Sequence, residues 1–169
     1  MRFQVRYVAA AAAALLVTLG LLLAGQRWLF SAQTTQPLQA QLERVPGVKS
    51  VALDFAQQPG VVHVTLSRVP DLETTYQDID ARVQALAPGA TITLPTPTEP
   101  RLRSAEQDLS FYVAQGLATG QFVGMRRDVI AQATRDGVRA RIYIDAHNVY
   151  LALYDGAHAG YFIYPREAK

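Results

Sequence analysis

The sequence contains no cysteine among its 169 residues. Structural disulfides, thiolate catalysis and zinc sites with sulfur ligands are therefore excluded. The three histidines, at positions 63, 147 and 158, do not lie at the spacing of a metal-binding motif such as His-x-x-x-His. We predict surface histidines, no metal site and no other cofactor.

Lysine is also scarce, since 14 of the 16 basic residues are arginine. The formal net charge of +2 divides into +3 for residues 1–34, −3 for residues 35–100 and +2 for residues 101–169. Nucleic-acid-binding domains usually carry a dense basic patch that neutralises phosphates. Neither of the last two segments has one, so we predict no nucleic-acid partner.

A catalytic constellation is not recognisable either. Four carboxylates cluster at 71, 73, 78 and 80. Asp78 and Asp80 are two residues apart and so do not share a helical face, while Asp71 and Glu73 suit the first turn of a helix. No nucleophile elbow or glycine-rich phosphate loop is present. These absences predict a protein that is not an enzyme.

One long apolar run does occur, at residues 7–25. As a helix it would span about 28 Å, close to the thickness of a hydrocarbon core of ~30 Å. Arg27 and Trp28 follow it and suit the interfacial region. We predict that residues 1–30 form a cytoplasmic N-terminus and a transmembrane anchor, which contacts membrane lipid through residues 7–30.

A cleavable signal peptide is the alternative interpretation of this run. Its apolar region is usually shorter, about 7–15 residues, and ends at a small-x-small site. The candidate sites, 22–24 and 30–32, each carry a bulky residue where a small one is needed. The sequence therefore favours an uncleaved anchor.

The charges beside the apolar run predict its orientation. Arg2, Arg6 and the free amine precede it, whereas only Arg27 follows it closely. Because positive residues are retained in the cytoplasm, the N-terminus should be cytoplasmic and the remainder extracytoplasmic. We predict a single-pass protein of the cell membrane.

A first small module is predicted for residues 31–94. Apolar residues recur at helical spacing over 38–45 and 72–86, and alternate with polar residues over 51–55, 62–66 and 91–94. Pro-Gly pairs follow both helices. The pattern predicts an αββαβ two-layer sandwich with both helices on one side of a three-stranded sheet.

A second module is predicted for residues 101–169, after a stiff Pro-rich linker at 95–100. A capping-box pattern at Ser104 opens a helical segment, and glycines at 116, 120 and 124 indicate a helix break or a close helix–helix approach. Three alternating segments follow, which predict an antiparallel β-meander. The fold class is thus α+β behind a single transmembrane helix.

Aromatic residues are concentrated in the meander, near two arginines. Tyrosine and arginine are common at protein interfaces, but aromatic side chains also favour strands and cores. Both interpretations of the aromatic residues stay open. The possible interface residues are Arg139, Arg141, Tyr143 and Tyr150.

Residues 36–94 resemble the ring-building-motif αββαβ domains of membrane-anchored secretion-ring and sporulation-channel proteins. The positions that carry the resemblance are Leu42, Val45, Pro46, Gly47, Val48, Val51, Val62, Val64, Pro88 and Gly89. The family's domains follow a single transmembrane helix and stack into oligomeric rings. The resemblance implies self-association and assigns no functional residue. Residues 101–169 show no such resemblance.

From these observations we expect a non-enzymatic, membrane-anchored scaffold or assembly subunit of a bacterial envelope complex. Its extracytoplasmic modules would bind copies of themselves or a protein partner. The alternative is a membrane-anchored sensory or ligand-binding domain for an envelope glycan or peptide. That alternative requires a concave pocket between the modules, near the 95–100 linker.

Overall fold

The computed structural model describes residues 35–56 and 59–166. Within this part the fold is α+β, as predicted, with four helices and two three-stranded sheets. The helices are α1 (Gln36–Leu42), α2 (Leu72–Leu86), α3 (Pro100–Thr119) and α4 (Phe122–Arg135). The strands are β1 (Val48–Asp54), β2 (Val61–Leu66), β3 (Thr91–Thr93), β4 (Arg139–Ile144), β5 (Asn148–Asp155) and β6 (His158–Pro165).

None of the helices in the described part is long and apolar enough to cross a membrane. The predicted transmembrane segment, residues 7–25, lies outside the described residues. The anchor and its orientation therefore stay predictions.

The first sheet has the order β1-β2-β3, with β1 and β2 antiparallel and β2 and β3 parallel. Helix α2 makes the crossover that a parallel pair requires. Its N-terminus is capped by Asp71, whose carboxylate accepts a hydrogen bond from the Thr74 amide at 3.3 Å. Both helices pack their apolar residues on one face of this sheet. The shared core contains helix residues and two residues of β2: Leu38, Leu42, Ile79 and Val83 from the helices, and Val62 and Val64 from the strand.

The turn between α1 and β1 depends on a glycine. Gly47 has a φ of +96°, and its carbonyl accepts hydrogen bonds from the Ser67 amide at 2.8 Å and the Ser67 hydroxyl at 3.0 Å. A Cβ at Gly47 would lie 2.3 Å from Cγ1 of buried Val69. Position 47 thus combines a left-handed backbone with a space too small for a side chain.

We expect Gly47→Ala to destabilise the fold by about 1–2 kcal/mol more than Gly89→Ala. Gly89 also has a positive φ, +81°, but a Cβ there would meet no atom within 4 Å. Both variants incur backbone strain, and only the first adds an overpacked contact. Urea unfolding of the full-length protein in detergent, followed by pulse proteolysis, measures the difference. Equal losses would show that Val69 simply moves aside.

The second module begins with a helical hairpin, in which α3 and α4 follow each other and pack together. Helix α3 starts at Pro100, so the predicted capping box at Ser104 is wrong: Ser104 lies one turn inside the helix. Proline is well tolerated in the first turn of a helix, which explains the earlier start. Gly120, with a φ of +70°, ends α3, and α4 begins two residues later, at Phe122.

The predicted break and the predicted close approach both occur at the glycines. Gly120 makes the break, whereas Gly116 allows the approach, because a Cβ there would lie 2.4 Å from Sδ of Met125. The hairpin packs on one face of the second sheet, which has the order β4-β5-β6 and is antiparallel throughout.

Strand β5 is buried on both faces. Val149, Leu151 and Leu153 face the α3–α4 hairpin. Tyr150, Ala152 and Tyr154 face the opposite way and form a cluster with two residues of the first module, Val69 and Leu72. The second sheet is therefore enclosed between its own helices and the first module.

Candidate functional site: an arginine groove at the module junction

A short loop of the first module, residues 67–70, is held by two tyrosines of the second module. The Tyr161 hydroxyl donates to the Ser67 carbonyl and accepts from the Val69 amide, both at 2.9 Å. The Tyr154 hydroxyl donates to the Val69 carbonyl at 3.0 Å. The two rings meet edge to face with centroids 6.3 Å apart. Burial raises the pKa of both phenols, so they are neutral donors at ordinary pH.

A second junction lies at the other end of the second sheet, around Asp145. Its carboxylate accepts hydrogen bonds from the Tyr150 hydroxyl at 2.6 Å and from Gln77 of α2 at 3.0 Å. It also accepts from the His147 and Asn148 amides, both at 2.7 Å. Burial would raise the pKa of Asp145, but these hydrogen bonds outweigh it and hold the pKa well below its usual range.

Tyr150 is the buried partner of that carboxylate. It is only 1% exposed, and its ring meets Tyr76 of α2 edge to face at 5.7 Å. Burial, followed by the hydrogen bond to Asp145, raises the pKa of Tyr150 to about 12. The pKa of the phenol is raised and the pKa of the carboxylate is lowered, so neither group exchanges a proton near neutral pH. The hydrogen bond between them is therefore structural.

Between the two modules, beside the loop, three arginines border an open groove. The groove has a volume of about 310 Å³ and is lined by Arg68, Val69, Pro70, Arg139, Arg141 and Tyr154. It continues past Arg139 toward Gly137 and Gly156. We call this feature the arginine groove.

Two of the arginines are positioned by backbone carbonyls. Arg68 donates to the Gly156 carbonyl at 2.7 Å, and its guanidinium lies 4.8 Å from the Tyr154 ring centroid. Arg141 donates to the Pro70 carbonyl at 2.8 Å and lies 6.0 Å from the same ring. These contacts hold both cations over an aromatic floor. Each keeps further N–H groups for a ligand.

Among the described residues, none of the three arginines forms an ion pair. Arg139 is exposed, and its side chain has no hydrogen-bond partner in the described part of the chain. The nearest carboxylate in the lining is that of Asp155, which pairs with Arg101 at 3.3 Å. Three mutually repelling cations thus border one concave surface, which favours binding of an anion.

The four residues predicted as an interface do not lie at one site in the structure. Arg139 and Arg141 both line the arginine groove. Tyr143 pairs with Tyr150 across β4 and β5 and is half-buried. Tyr150 is buried inside the protein and contacts the first module of the same chain. Two of the four residues are therefore brought together at one accessible site.

Sequence reasoning missed Arg68 and Tyr161. Arg68 follows β2 in the chain and reaches the groove only because the loop docks on the second sheet. The register also separates the meander's aromatic residues, because Phe162 and Tyr164 pack toward the hairpin and not toward the loop. The sequence did contain a signal for Tyr161. Alternation along the strand puts Tyr161 on the same face as Ala159 and Ile163, and this is the face that contacts the loop.

Other features of the described residues do not converge on a reactive centre. No group of three or more His, Asp or Glu residues in residues 35–56 and 59–166 is placed to hold a metal ion. Phe111 and Val123 are 76% and 88% exposed on the hairpin. Single exposed apolar side chains are common on protein surfaces, and no binding role follows from these two.

The chain matches no protein-family model, and neither a curated protein nor a solved structure was found to match it.

Proposed function

We propose that this protein is a non-enzymatic, membrane-anchored scaffold or assembly subunit of a bacterial envelope complex. It acts through protein–protein contacts of an extracytoplasmic part that begins after the anchor. The resemblance of residues 36–94 to ring-building domains is part of the same proposal. The observation that carries it is the arginine groove, where three arginines that form no ion pair with any described residue surround Tyr154.

The composition of the groove is that of a protein interface. Arginine and tyrosine are enriched at such interfaces because they combine large contact area with hydrogen bonding. The groove is also built from both modules, so its shape depends on their fixed packing through Tyr154 and Tyr161. A membrane anchor raises the effective concentration of such a surface, which strengthens weak contacts.

Native mass spectrometry of the full-length protein, extracted from its own membrane in mild detergent, tests this function. We expect either a homo-oligomer or a defined complex with a co-extracted protein. The double substitution Arg139→Ala and Arg141→Ala should lower the complexed fraction several-fold, by about the 1–2 kcal/mol typical of interface arginines. Arg126→Ala with Arg127→Ala, on the exposed side of α4, is the matched control. A bare monomer in every mild detergent would contradict the proposal.

A second candidate is the sensory or ligand-binding domain, favoured by another groove between the modules. It has a volume of about 410 Å³ and lies beside the linker, with Lys49, Thr65, Pro97, Thr98 and Tyr161 among its lining residues. The volume is within the range of small-molecule sites. A thermal-shift screen of glycans and peptides against the full-length protein would show saturable stabilisation if this function holds.

A further inference from the structure

The arginine groove is longer than its central cavity. The cavity of about 310 Å³ around Tyr154 shares Arg68, Arg139 and Tyr154 with a second cavity of about 460 Å³, which reaches Gly137 and Gly156. A water molecule occupies about 30 Å³ of the liquid. Either cavity is therefore several times larger than a small ion requires, and the groove has room for a stretch of polypeptide.

The carboxylates that directly border the groove already have partners. Asp71, next to the groove in the chain, caps the first turn of α2. Asp136 accepts a hydrogen bond from the Gln132 side chain at 2.8 Å, and Asp155 pairs with Arg101 at 3.3 Å. None of these carboxylates forms an ion pair with a groove arginine among the described residues. The charges of the groove arginines thus stay available to a ligand.

The helix N-terminus beside the groove is closed to a phosphate. Backbone amides at a helix N-terminus commonly bind phosphate groups. Helix α2 begins two residues after Pro70, but the Asp71 carboxylate accepts hydrogen bonds from the Thr74 amide at 3.3 Å and the Thr74 hydroxyl at 3.1 Å. The donors left to a ligand are the guanidinium groups along the groove, and their distribution favours a chain with several anionic groups.

Two of the arginines are spaced to match an extended peptide. Arg139 and Arg141 are exposed and lie two residues apart on β4, so their side chains leave the same face of the strand. Two residues of extended chain span about 6.6 Å, and alternate side chains of any extended peptide repeat at this distance. Strand β4 is also an edge strand, since among the described strands it pairs only with β5. Carboxylates at alternate positions of a peptide beside β4 would meet both guanidinium groups.

We propose that the arginine groove binds an extended acidic segment of a different protein, with carboxylates at alternate positions. Guanidinium groups bind carboxylates through paired N–H donors. Arg68 and Arg141 are already held by backbone carbonyls and lie over the Tyr154 ring, so they lose little side-chain freedom on binding. This inference rests on the proposed function and names the chemistry of the partner.

A second copy of this chain does not offer such a segment in its described part. Acidic residues two positions apart occur there at 71 and 73, 78 and 80, and 106 and 108, and each pair lies in a helix or at its start. Residues two apart on a helix do not face the same way. A different protein, with acidic residues in an extended segment, therefore fits the groove better than a second copy.

Selection of peptides by the full-length protein in detergent tests the occupant. The probe is a library of random dodecapeptides displayed on phage. We expect the selected peptides to be enriched in Asp and Glu at alternate positions. Binding of a selected peptide, measured by fluorescence anisotropy, should weaken as salt is raised, because the contact is made of opposite charges. Selected peptides without acidic enrichment would overturn the proposal.

Substitutions of Arg139 show whether the peptide binds in the groove. The Arg139 side chain has no hydrogen-bond partner in the described part of the chain, so its replacement keeps the contacts between the modules. Arg139→Glu should raise the dissociation constant of the peptide at least about tenfold. Arg139→Lys should raise it several-fold, because lysine keeps the charge and lacks the paired donors.

The matched control is Arg126→Glu, the same reversal at an exposed position of α4. It should leave the dissociation constant within about twofold of the original. A peptide that Arg139→Glu does not weaken, or that Arg126→Glu weakens equally, does not bind in the groove. Either result would overturn the proposal.

Soluble phosphates test the other class of anionic ligand. Inorganic phosphate and glycerol phosphate, each compared with chloride at equal ionic strength, should leave the peptide bound. Displacement by both would assign the groove to a free phosphate, and displacement by glycerol phosphate alone would assign it to a lipid headgroup. Both results would overturn the acidic segment as occupant.

Native mass spectrometry of the same variants separates this inference from the proposed function. A complex that survives Arg139→Glu, or a homo-oligomer that this substitution breaks, would overturn the acidic partner and leave the assembly function standing. Acidic peptides bound in the groove of a protein that is extracted only as a bare monomer would support the inference about the groove and contradict the assembly function.

Discussion

Replacing Tyr161 by alanine should lower the free energy of unfolding by about 3–5 kcal/mol. Tyr161 is 7% exposed and belongs to the apolar cluster between the modules, so its removal leaves a cavity there. The substitution also leaves the Val69 amide and the Ser67 carbonyl without their hydrogen-bond partner. Urea unfolding followed by pulse proteolysis of the full-length protein in detergent measures the loss.

The conservative variant Tyr161→Phe divides this loss into its parts. It keeps the ring and removes only the hydroxyl, so it should cost about 1–3 kcal/mol, the penalty for unsatisfied buried groups. Tyr143→Phe is the matched control, because Tyr143 is half-buried on the same face of the sheet and its hydroxyl has no hydrogen-bond partner among the described residues. Losses below about 1 kcal/mol for Tyr161→Ala would show that the modules do not stabilise each other.

Replacing Asp145 by alanine should cost about 3 kcal/mol, because one carboxylate accepts four hydrogen bonds from two modules. Bonds to a charged acceptor are worth about 1.5–3 kcal/mol each, and their losses overlap when one group is removed. The Tyr150 hydroxyl would lose its closest acceptor, and the turn between β4 and β5 would lose its side-chain anchor. The same unfolding measurement applies.

This contribution should depend on pH in one direction. The pKa of Asp145 is lowered on folding, so its stabilisation is fully present above the unfolded-state pKa, near 4. It is lost as the pH falls from about 4 toward the folded-state pKa. The difference between the original protein and Asp145→Ala should therefore be constant near neutrality and shrink below about pH 4.

Asp155→Ala provides the control for this prediction. Asp155 ends β5, the strand that follows the turn containing Asp145, but it pairs with Arg101, whose side chain is 60% exposed. An exposed pair of this kind contributes at most about 1 kcal/mol. If Asp145→Ala cost no more than Asp155→Ala, the network around Asp145 would have no structural role.

The elements of the first module could be predicted because its patterns are local. Helix α2 is marked by Asp71 at the start, an apolar stripe through Ile79 and Val83, and Pro88-Gly89 after the end. The strands follow a period of two with one buried face. Each of these patterns depends only on residues close together in the sequence, so it can be recognised without knowledge of any tertiary contact.

The start of α3 and the grouping of the aromatic side chains were harder to predict. The capping-box pattern at Ser104 is genuine as a local motif, but Pro100 can begin a helix and the chain uses the earlier start. Strand alternation alone assigns each side chain to one of two faces. Alternation does not predict that α2 covers the face of the sheet that carries Tyr150, which makes Tyr150 inaccessible to a partner protein.

The sequence by itself determined the α+β class, the order of the elements and the exclusion of sulfur chemistry, because composition and periodicity follow directly from the residues. Only the tertiary structure decided which arginines lie together in one groove. Arg68 and Arg139 are 71 positions apart in the chain, yet the loop held by Tyr154 and Tyr161 brings them to one groove. The packing of the two modules creates this contact, and no local pattern in the sequence encodes it.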